Sequence, residues 1–528
     1  MRFRSLIKAA FPIMGFAALC FSIPASADNL VILHTNDTHS AIDPNPDGTG
    51  GALQRKAIID SVRNAERHVI AVDAGDMVQG TLYFKYFRGD VEYPIMNMTG
   101  YDIRILGNHE FDNGMADLAE RYKTVKGDRL SANYDFSGTP LEGVFKPYVI
   151  KKVDGKKIGF IGINIDPTSL ISKKNIDVNF LPPVETANKW AGYLKEKKKC
   201  DLVVAVTHIG YTSGNGKPSD VDLAKASKDI DIIIGAHSHT LVDPAHPEIN
   251  PSIVKNADGK PVRIVQTGKA GKYVGKITVD LDRLKGADGE DYAYELIPVT
   301  DRFPEEKLDR KMREFLKPYR HLVDSVNSHA IAESYFDLTK KENKWGQPNM
   351  TADFGYWYGN LMADSLRRAG HDVHGVDLAI MNIGGIRQPM PKGDITEGQI
   401  LSTYPFSNRF VIVELKGADI IEAMRVAAKK GGEAVSHNVR ILTDADGNLV
   451  KFLLNGEEMG PEKTYVLGSI DYVAEGNDDM VTLANHRKIW VDDAEVAVPI
   501  LRWFMRQGEL GNPVAPDLTP RFMKSTKY

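Results

Sequence analysis

Five short clusters of Asp, Asn and His, each closing an apolar run, are the residues of this chain best suited to chemistry. Val31-Ile32-Leu33 leads to Asn36-Asp37-Thr38-His39, and Val69 to Val72 leads to Gly75-Asp76. Ile103 to Leu106 leads to Gly107-Asn108-His109-Glu110, Leu202 to Val206 to Thr207-His208, and Ile230 to Ile234 to Gly235-Ala236-His237-Ser238-His239. Carboxylate oxygen, amide oxygen and imidazole nitrogen are the ligands that hard and borderline metal ions take. Asp37, His39, Asp76, Asn108, His208, His237 and His239, gathered at one sheet edge, would hold two ions, and paired ions usually serve phosphoester hydrolysis. Asp37 and His39 stand two residues apart, as do His237 and His239. On extended backbone such residues point to the same side, so each pair is expected on an extended segment facing one site. Taken singly, each has a plainer reading: an Asp caps a turn, a His packs in the core, an Asn after Gly turns the chain. The joint presence and order of all five favour the metal site. His34 is expected in the core, and His68, His371, His374 and His437 have no partner pattern.

The elements that must position these clusters are strands. Short β-branched runs bounded by Gly read as buried strands, and α/β sheets bind ligands off the carboxyl ends of their strands. From Asp28 to about Phe303 such runs alternate with helical stretches such as Leu53 to Arg63. Ile158 to Ile163 adds a strand after the hairpin turn Asp154-Gly155. Pro304 to about Val326 is charged with spaced apolar residues (Leu308, Met312, Phe315, Leu316, Leu322), which predicts an amphipathic linker helix begun by the proline. A second pattern follows from Asn327, with a helix near Gly359 to Ala369, a strand Asp377 to Met381, a helix Gly417 to Lys430 and a hairpin Val439 to Leu454. At 528 residues the chain is expected to form two domains or more.

Composition narrows the class. Apolar content of 42% and charged content of 26% are those of a soluble globular protein. Arg2, Arg4 and Lys8, the apolar stretch Ala9 to Ile23 and the small residues Ala25-Ser26-Ala27 read as a secretory signal over residues 1–27. Cys20 after Leu19 fits a lipoprotein cleavage site poorly. Cleavage after Ala27 would remove three basic residues and no acidic ones, taking the net charge from −4 to −7. No basic tract stands out, which argues against a nucleic-acid polymer as partner. Cys200 alone would remain, as a buried structural thiol, and no second stretch is long enough to span a bilayer, so stable membrane insertion after cleavage is not expected.

The five motifs, in this order and spacing, resemble the calcineurin-like metallophosphoesterases, and more closely the 5′-nucleotidase family within them. The resemblance covers essentially the whole chain after residue 27. It implies an α/β four-layer α/β/β/α sandwich over 28–303, a linker helix over 304–326 and a second α+β substrate-binding domain over 327–528. It implies two divalent metal ions (Zn, Mn, Co or similar): one held by the equivalents of Asp37, His39, Asp76 and His239, the other by those of Asp76, Asn108, His208 and His237. His109 would stabilise charge on the phosphoryl group and Asp112 would orient it; otherwise Asp112 caps the helix after Gly114. Met381 to Arg387 resembles the family's Asn-x-Gly-Gly-x-Arg loop, placing Asn382, Gly384, Gly385 and Arg387 at substrate. Phe406, in Tyr404 to Asn408, and Tyr472, in Ser469 to Asp478, would sandwich the base, and Asp478 would bind ribose.

Two departures qualify this. Gly476-Asn477-Asp478-Asp479 stands where Gly-Gly-Asp is frequent. The run Asn349 to Phe354 lacks the arginines of close relatives, for which Lys340, Lys341 or Lys344 are the candidates to compensate. The implied activity is that of a secreted or periplasmic 5′-nucleotidase acting on small-molecule nucleotides, with nucleotide sugars as a further class. The alternative is a 2′,3′-cyclic-nucleotide 2′-phosphodiesterase with 3′-nucleotidase activity. A non-enzymatic nucleotide-binding or adhesion protein fits less well, because every ligand and the His109–Asp112 pair are intact.

Overall fold

The computed structural model describes residues 29–524 apart from 167–175, 177, 213–216, 285–291, 337, 339–349, 389, 391, 516 and 518. The expected signal segment and Lys340, Lys341 and Lys344 therefore lie outside the described residues.

Two six-stranded sheets make the N-terminal half. In the first, Asn29–Thr35, His68–Asp73, Ile103–Ile105 and Asp128–Leu130 run parallel, with Tyr273–Asp280 and Tyr292–Pro298 added antiparallel at the Asn29 side. In the second, Lys156–Asn164, Leu202–His208, Ile232–Ile234 and Pro261–Val265 run parallel, with Tyr148–Val153 and Ile253–Lys255 antiparallel at the edges. Strands buried on both faces carry unbroken apolar runs rather than alternation. Leu30 and Ile32 pack between the sheets with Phe160, Val204 and Ile232. Val31 and Leu33 face outward onto Ile58 and Ile59 of the helix Ala52–Ala65. On the far side, Val203, Ala205 and Ile233 pack against Ala187, Ala191 and Leu194 of the helix Pro183–Glu196. The order is helix, sheet, sheet, helix, the expected four layers. Each fully buried Leu, Ile or Val contributes about 1.5–3 kcal/mol to holding them.

The C-terminal half is built on a five-stranded mixed sheet, Ala434–Val435, Leu378–Met381, Thr464–Ile470, Arg409–Lys416 and Arg487–Glu495, with a four-stranded sheet beside it. Its first long helix, Met350–Arg368, starts earlier than the sequence pattern suggests, so Thr351 to Phe354 form its opening turns. The helix between the halves is Arg310–Asn327, and here the expectation of a proline start is corrected. Pro304 leads only into a short 3₁₀ turn, Glu305–Lys307, whereas the Asp309 side chain accepts from the N–H of Met312 at 2.7 Å and caps the helix. Met312, Leu316 and Val323 are its buried residues, and Leu322 is 40% exposed. No helix among the described residues is long and apolar enough to cross a membrane.

Candidate active site

The loops after the strands Asn29–Thr35 and His68–Asp73 are zipped together. The N–H groups of Asp37, His39 and Ser40 donate to the carbonyls of Gly75, Asp76 and Met77 at 3.0, 3.0 and 2.9 Å. This pairing demands an unusual backbone. Asp37, His39, Asp76, His237 and His239 all have positive φ, at 49, 45, 54, 76 and 57°. The expectation that the i, i+2 pairs lie on extended segments is therefore corrected. Convergence comes from left-handed turns, a conformation that costs energy for non-glycine residues and is concentrated at functional sites. Gly107 is required for a different reason: a Cβ there would lie 2.1 Å from Asp76 Oδ1 and 2.6 Å from His208 Cε1.

All seven candidate ligands converge. Asp37, His39 and His239 form one group of donor atoms within 4.8 Å of one another, and Asp76, His208 and His237 form another. A third, His39, Asp76 and His109, overlaps both. His39 Nε2 lies 2.9 Å from His239 Nε2 and His237 Nδ1 3.0 Å from Asn108 Oδ1. His208 is fully buried; its Nδ1 is 2.8 Å from the Ala74 carbonyl, which turns Nε2 inward, 3.2 Å from Asp76 Oδ2.

Electrostatics favour the same use. Burial holds His237 at about 3, reinforced by His208, and holds His39 and His239 well below the usual imidazole range, with Arg387 adding at both. Neutral imidazoles are the form that binds a metal. Burial raises the Asp37 carboxyl to about 7. For His208 burial works the other way, but the Asp76 carboxylate outweighs it and raises the pKa to about 10. Two buried carboxylates, Asp37 and Asp76, with His208 against the latter and neutral His39, His237 and His239 beside them, are a donor set suited to divalent cations.

The predicted catalytic pair is also assembled. His109 Nδ1 lies 2.9 Å from Asp112 Oδ2. Burial opposes the imidazolium, yet Asp112 and Asp76 outweigh it, and the His109 pKa is raised. Asp112 is not the helix cap; Gly114 stands at that position before Met115–Tyr122.

A cleft of about 590 Å³ runs from these residues to the C-terminal half and is lined by Asn108, His109, Asn382, Gly384, Gly385, Arg387, Phe406, Tyr472 and Asp478. Every substrate residue expected from sequence thus borders the same space. Arg387 crosses it, its Nη2 lying 3.0 Å from His39 Nε2. Phe406 sits 5.8 Å from the His109 ring and 5.9 Å from the Arg387 guanidinium. Asp478 accepts from Asn382 Nδ2 at 2.8 Å and from the Tyr472 hydroxyl at 3.2 Å.

With this geometry in hand, comparison with known proteins is decisive. A family model for calcineurin-like phosphoesterases matches residues 30–241, and one for the 5′-nucleotidase C-terminal domain matches residues 329–485. The 5′-nucleotidase of Vibrio cholerae serotype O1 is 30% identical over 527 residues, covering 92% of each chain. The chain belongs to the 5′-nucleotidase family. It is accordingly a phosphoester hydrolase on a metallophosphoesterase fold. The 5′-nucleotidase precursor of Thermus thermophilus superposes with a TM-score of 0.79 at 30% identity, over 95% of this chain and all of that one. The trifunctional nucleotide phosphoesterase protein YfkN of Bacillus subtilis is 29% identical over 93% of this chain, which spans only 35% of that longer protein.

Several residues of this nucleotidase-family site escape sequence reasoning. Glu110 is buried, and its carboxylate accepts from the N–H groups of Gly107, Asp76 and Met77 at 2.5, 3.1 and 2.9 Å, holding two ligand loops together. Asn36 donates to Asp37 Oδ2 at 2.7 Å and accepts from the Thr267 N–H at 2.8 Å. Their only signal is their place inside the motifs. His437, which has no partner in the sequence pattern, lies 3.2 Å from Asp353, eighty-four positions away. His34 and Cys200 are buried as expected, His34 stacking on Tyr294 at 5.8 Å.

Proposed function

We propose that the protein is a secreted or periplasmic, two-metal 5′-nucleotidase that converts nucleoside 5′-monophosphates to nucleoside and phosphate, with nucleotide sugars as a second substrate class. The observation that carries this reading is one cleft bordered from the N-terminal half by Asn108, His109 and His237 and from the C-terminal half by Phe406 and Tyr472. A phosphoryl group and a flat base joined by a ribose match that arrangement. The basic start, apolar stretch and Ala25-Ser26-Ala27 support export. The proposed domains remain 28–303 and 327–528, joined over 304–326.

In this reading Asp37, His39, Asp76 and His239 hold one ion and Asp76, Asn108, His208 and His237 the other. Two such ions, when bound, would supply an activated water and positive charge against the phosphoryl oxygens. The chain's own residues do the rest. Asp112 holds the Nδ1 side of His109, which leaves Nε2 for the cleft, where an imidazolium stabilises charge developing on the phosphoryl group. Arg387 presents a planar cation to the same group from the opposite half. Phe406 and Tyr472 take the two faces of the base, a contact of about 1–3 kcal/mol per base in single-strand binders. Asp478, already fixed by Asn382 and Tyr472, is placed to accept from ribose hydroxyls.

The test is phosphate release from AMP, UDP-glucose and 2′,3′-cyclic AMP by purified, metal-loaded protein. Turnover of AMP supports the reading. Activity confined to the cyclic diester rejects it in favour of the phosphodiesterase alternative.

A further inference from the structure

On the outer edge of the second sheet, away from the cleft, three aromatic rings form one surface cluster. Tyr148 opens the edge strand Tyr148–Val153, and Trp190 and Tyr193 stand on the helix Pro183–Glu196, with Tyr148 and Trp190 each resting one side on the core beneath. Ring centroids are 5.2 Å apart for Tyr148 and Trp190, 5.8 Å for Tyr148 and Tyr193, and 5.6 Å for Trp190 and Tyr193. All three are half-buried, lying in the intermediate class of exposure. With Lys189, Glu196 and Lys197 they line an open groove of about 530 Å³ that shares no residue with the substrate cleft.

The surroundings are strongly basic. Segments 146–157 and 183–201 carry ten lysines against four carboxylates, in a chain whose net charge is −4, although Lys151 shares the strand face of Val149 and Val153 rather than that of Tyr148. The fold brings the two segments together: Lys157 Nζ donates to the Lys198 carbonyl at 3.0 Å. The sequence reading that no basic tract stands out missed this, because the lysines are split between a hairpin and a helix end. Lys195 and Lys151 are engaged by Asp231 and Asp128 at 2.8 and 2.7 Å. Lys189 Nζ lies 5.7 Å from the centre of the Trp190 ring, and Lys198 Nζ lies 5.3 Å from that of Tyr193, at the hydroxyl end, where the two side chains hydrogen-bond. Lys152, Lys189, Lys197 and Lys199 are exposed.

We propose that this face docks the protein peripherally on an anionic lipid surface. Tryptophan and tyrosine are the side chains that settle at headgroup depth, with an apolar body and a polar tip. Lysines reaching past them add attraction of about 1 kcal/mol each near an anionic leaflet. An open groove suits a surface better than an enclosed small molecule. Ammonium groups beside the rings join positive charge to aromatic surface, which suits anionic headgroups.

The experiment is co-sedimentation with vesicles of phosphatidylglycerol and phosphatidylcholine, against pure phosphatidylcholine, with wild type and K189E/K197E/K198E prepared identically so that the apolar stretch Ala9 to Ile23 contributes equally. Uptake by the mixed vesicles is expected, weakening with salt, and the partition coefficient of the triple variant is expected to fall more than about tenfold, with an unchanged thermal midpoint as folding control. If the triple variant does not fold, W190F keeps the test: a blue shift of tryptophan emission on vesicle binding should disappear with that ring. Equal uptake by neutral vesicles, no uptake, or a triple variant that binds like wild type overturns the proposal. Retention by soluble polyglutamate without vesicle uptake also overturns it, assigning an acidic polymer instead.

Discussion

His109 touches the cleft and groups with His39 and Asp76, yet neither of the other two ligand groups includes it, so its removal leaves both of those complete. His109→Ala is expected to lower kcat by about 10²–10³-fold, the effect typical of losing one stabilising donor, while metal content by elemental analysis stays at the wild-type value. Unaltered turnover would reject the role given to His109. Gly107 behaves in the opposite way. An alanine methyl there would press on Asp76 Oδ1 and His208 Cε1 at 2.1 and 2.6 Å. Gly107→Ala should therefore lose bound metal and activity together, and a variant that keeps full metal content would show that the loops yield. Glu110 acts one step further back, through backbone amides alone.

At the scale of elements, the helix Arg310–Asn327 is fixed at its start by Asp309 and along one side by Met312, Leu316 and Val323. Asp309→Ala removes the cap and is expected to destabilise the protein by about 1 kcal/mol, read as a lower denaturation midpoint with kcat/KM unchanged. A fall in kcat/KM at an unchanged midpoint would mean that the helix start serves the cleft instead. The same helix shows what sequence conceals. Pro304 and Asp309 both match start signals, and only the hydrogen bond to Met312 decides between them. Strands such as Leu202–His208 were legible because burial on both faces leaves an unbroken apolar run. The ligand types were legible too, since few residue types bind metals. Their backbone was not: side-chain spacing carries no sign of φ, and Asp37 or His239 in a left-handed turn reads the same as on a strand. The Lys157–Lys198 contact was hidden for a related reason, as its partners are forty-one positions apart.

For the whole molecule, the two ends of the cleft belong to different halves of the chain, so turnover depends on how firmly those halves meet. Arg387 reaches His39, Gln388 Nε2 donates to the Gly80 carbonyl at 3.3 Å, and Lys85 binds both the Pro405 carbonyl and Glu495. Lys217 joins them at 3.0 Å to Asp479, which also accepts from Lys430 at 2.7 Å. Asp479 is the residue that follows the altered Gly476-Asn477-Asp478 segment, and its φ of 63° holds it in a strained turn beside Asp478 at 55°. A partly exposed ion pair is worth about 0.2–1 kcal/mol, which corresponds to at most about fivefold in an equilibrium between open and closed arrangements. Lys217→Glu should thus lower kcat/KM for AMP by up to about fivefold, because it sets two carboxylates against each other across the cleft. Asp479→Lys should do the same from the other side. The double variant K217E/D479K restores the attraction between the halves but not the Lys430 contact, so it should recover part of the loss and exceed the activity of D479K alone, whereas residues that merely support their own half would show additive damage. Small-angle scattering of the three variants distinguishes opening from local disruption: the single variants should expand and the double variant should return to the wild-type radius of gyration.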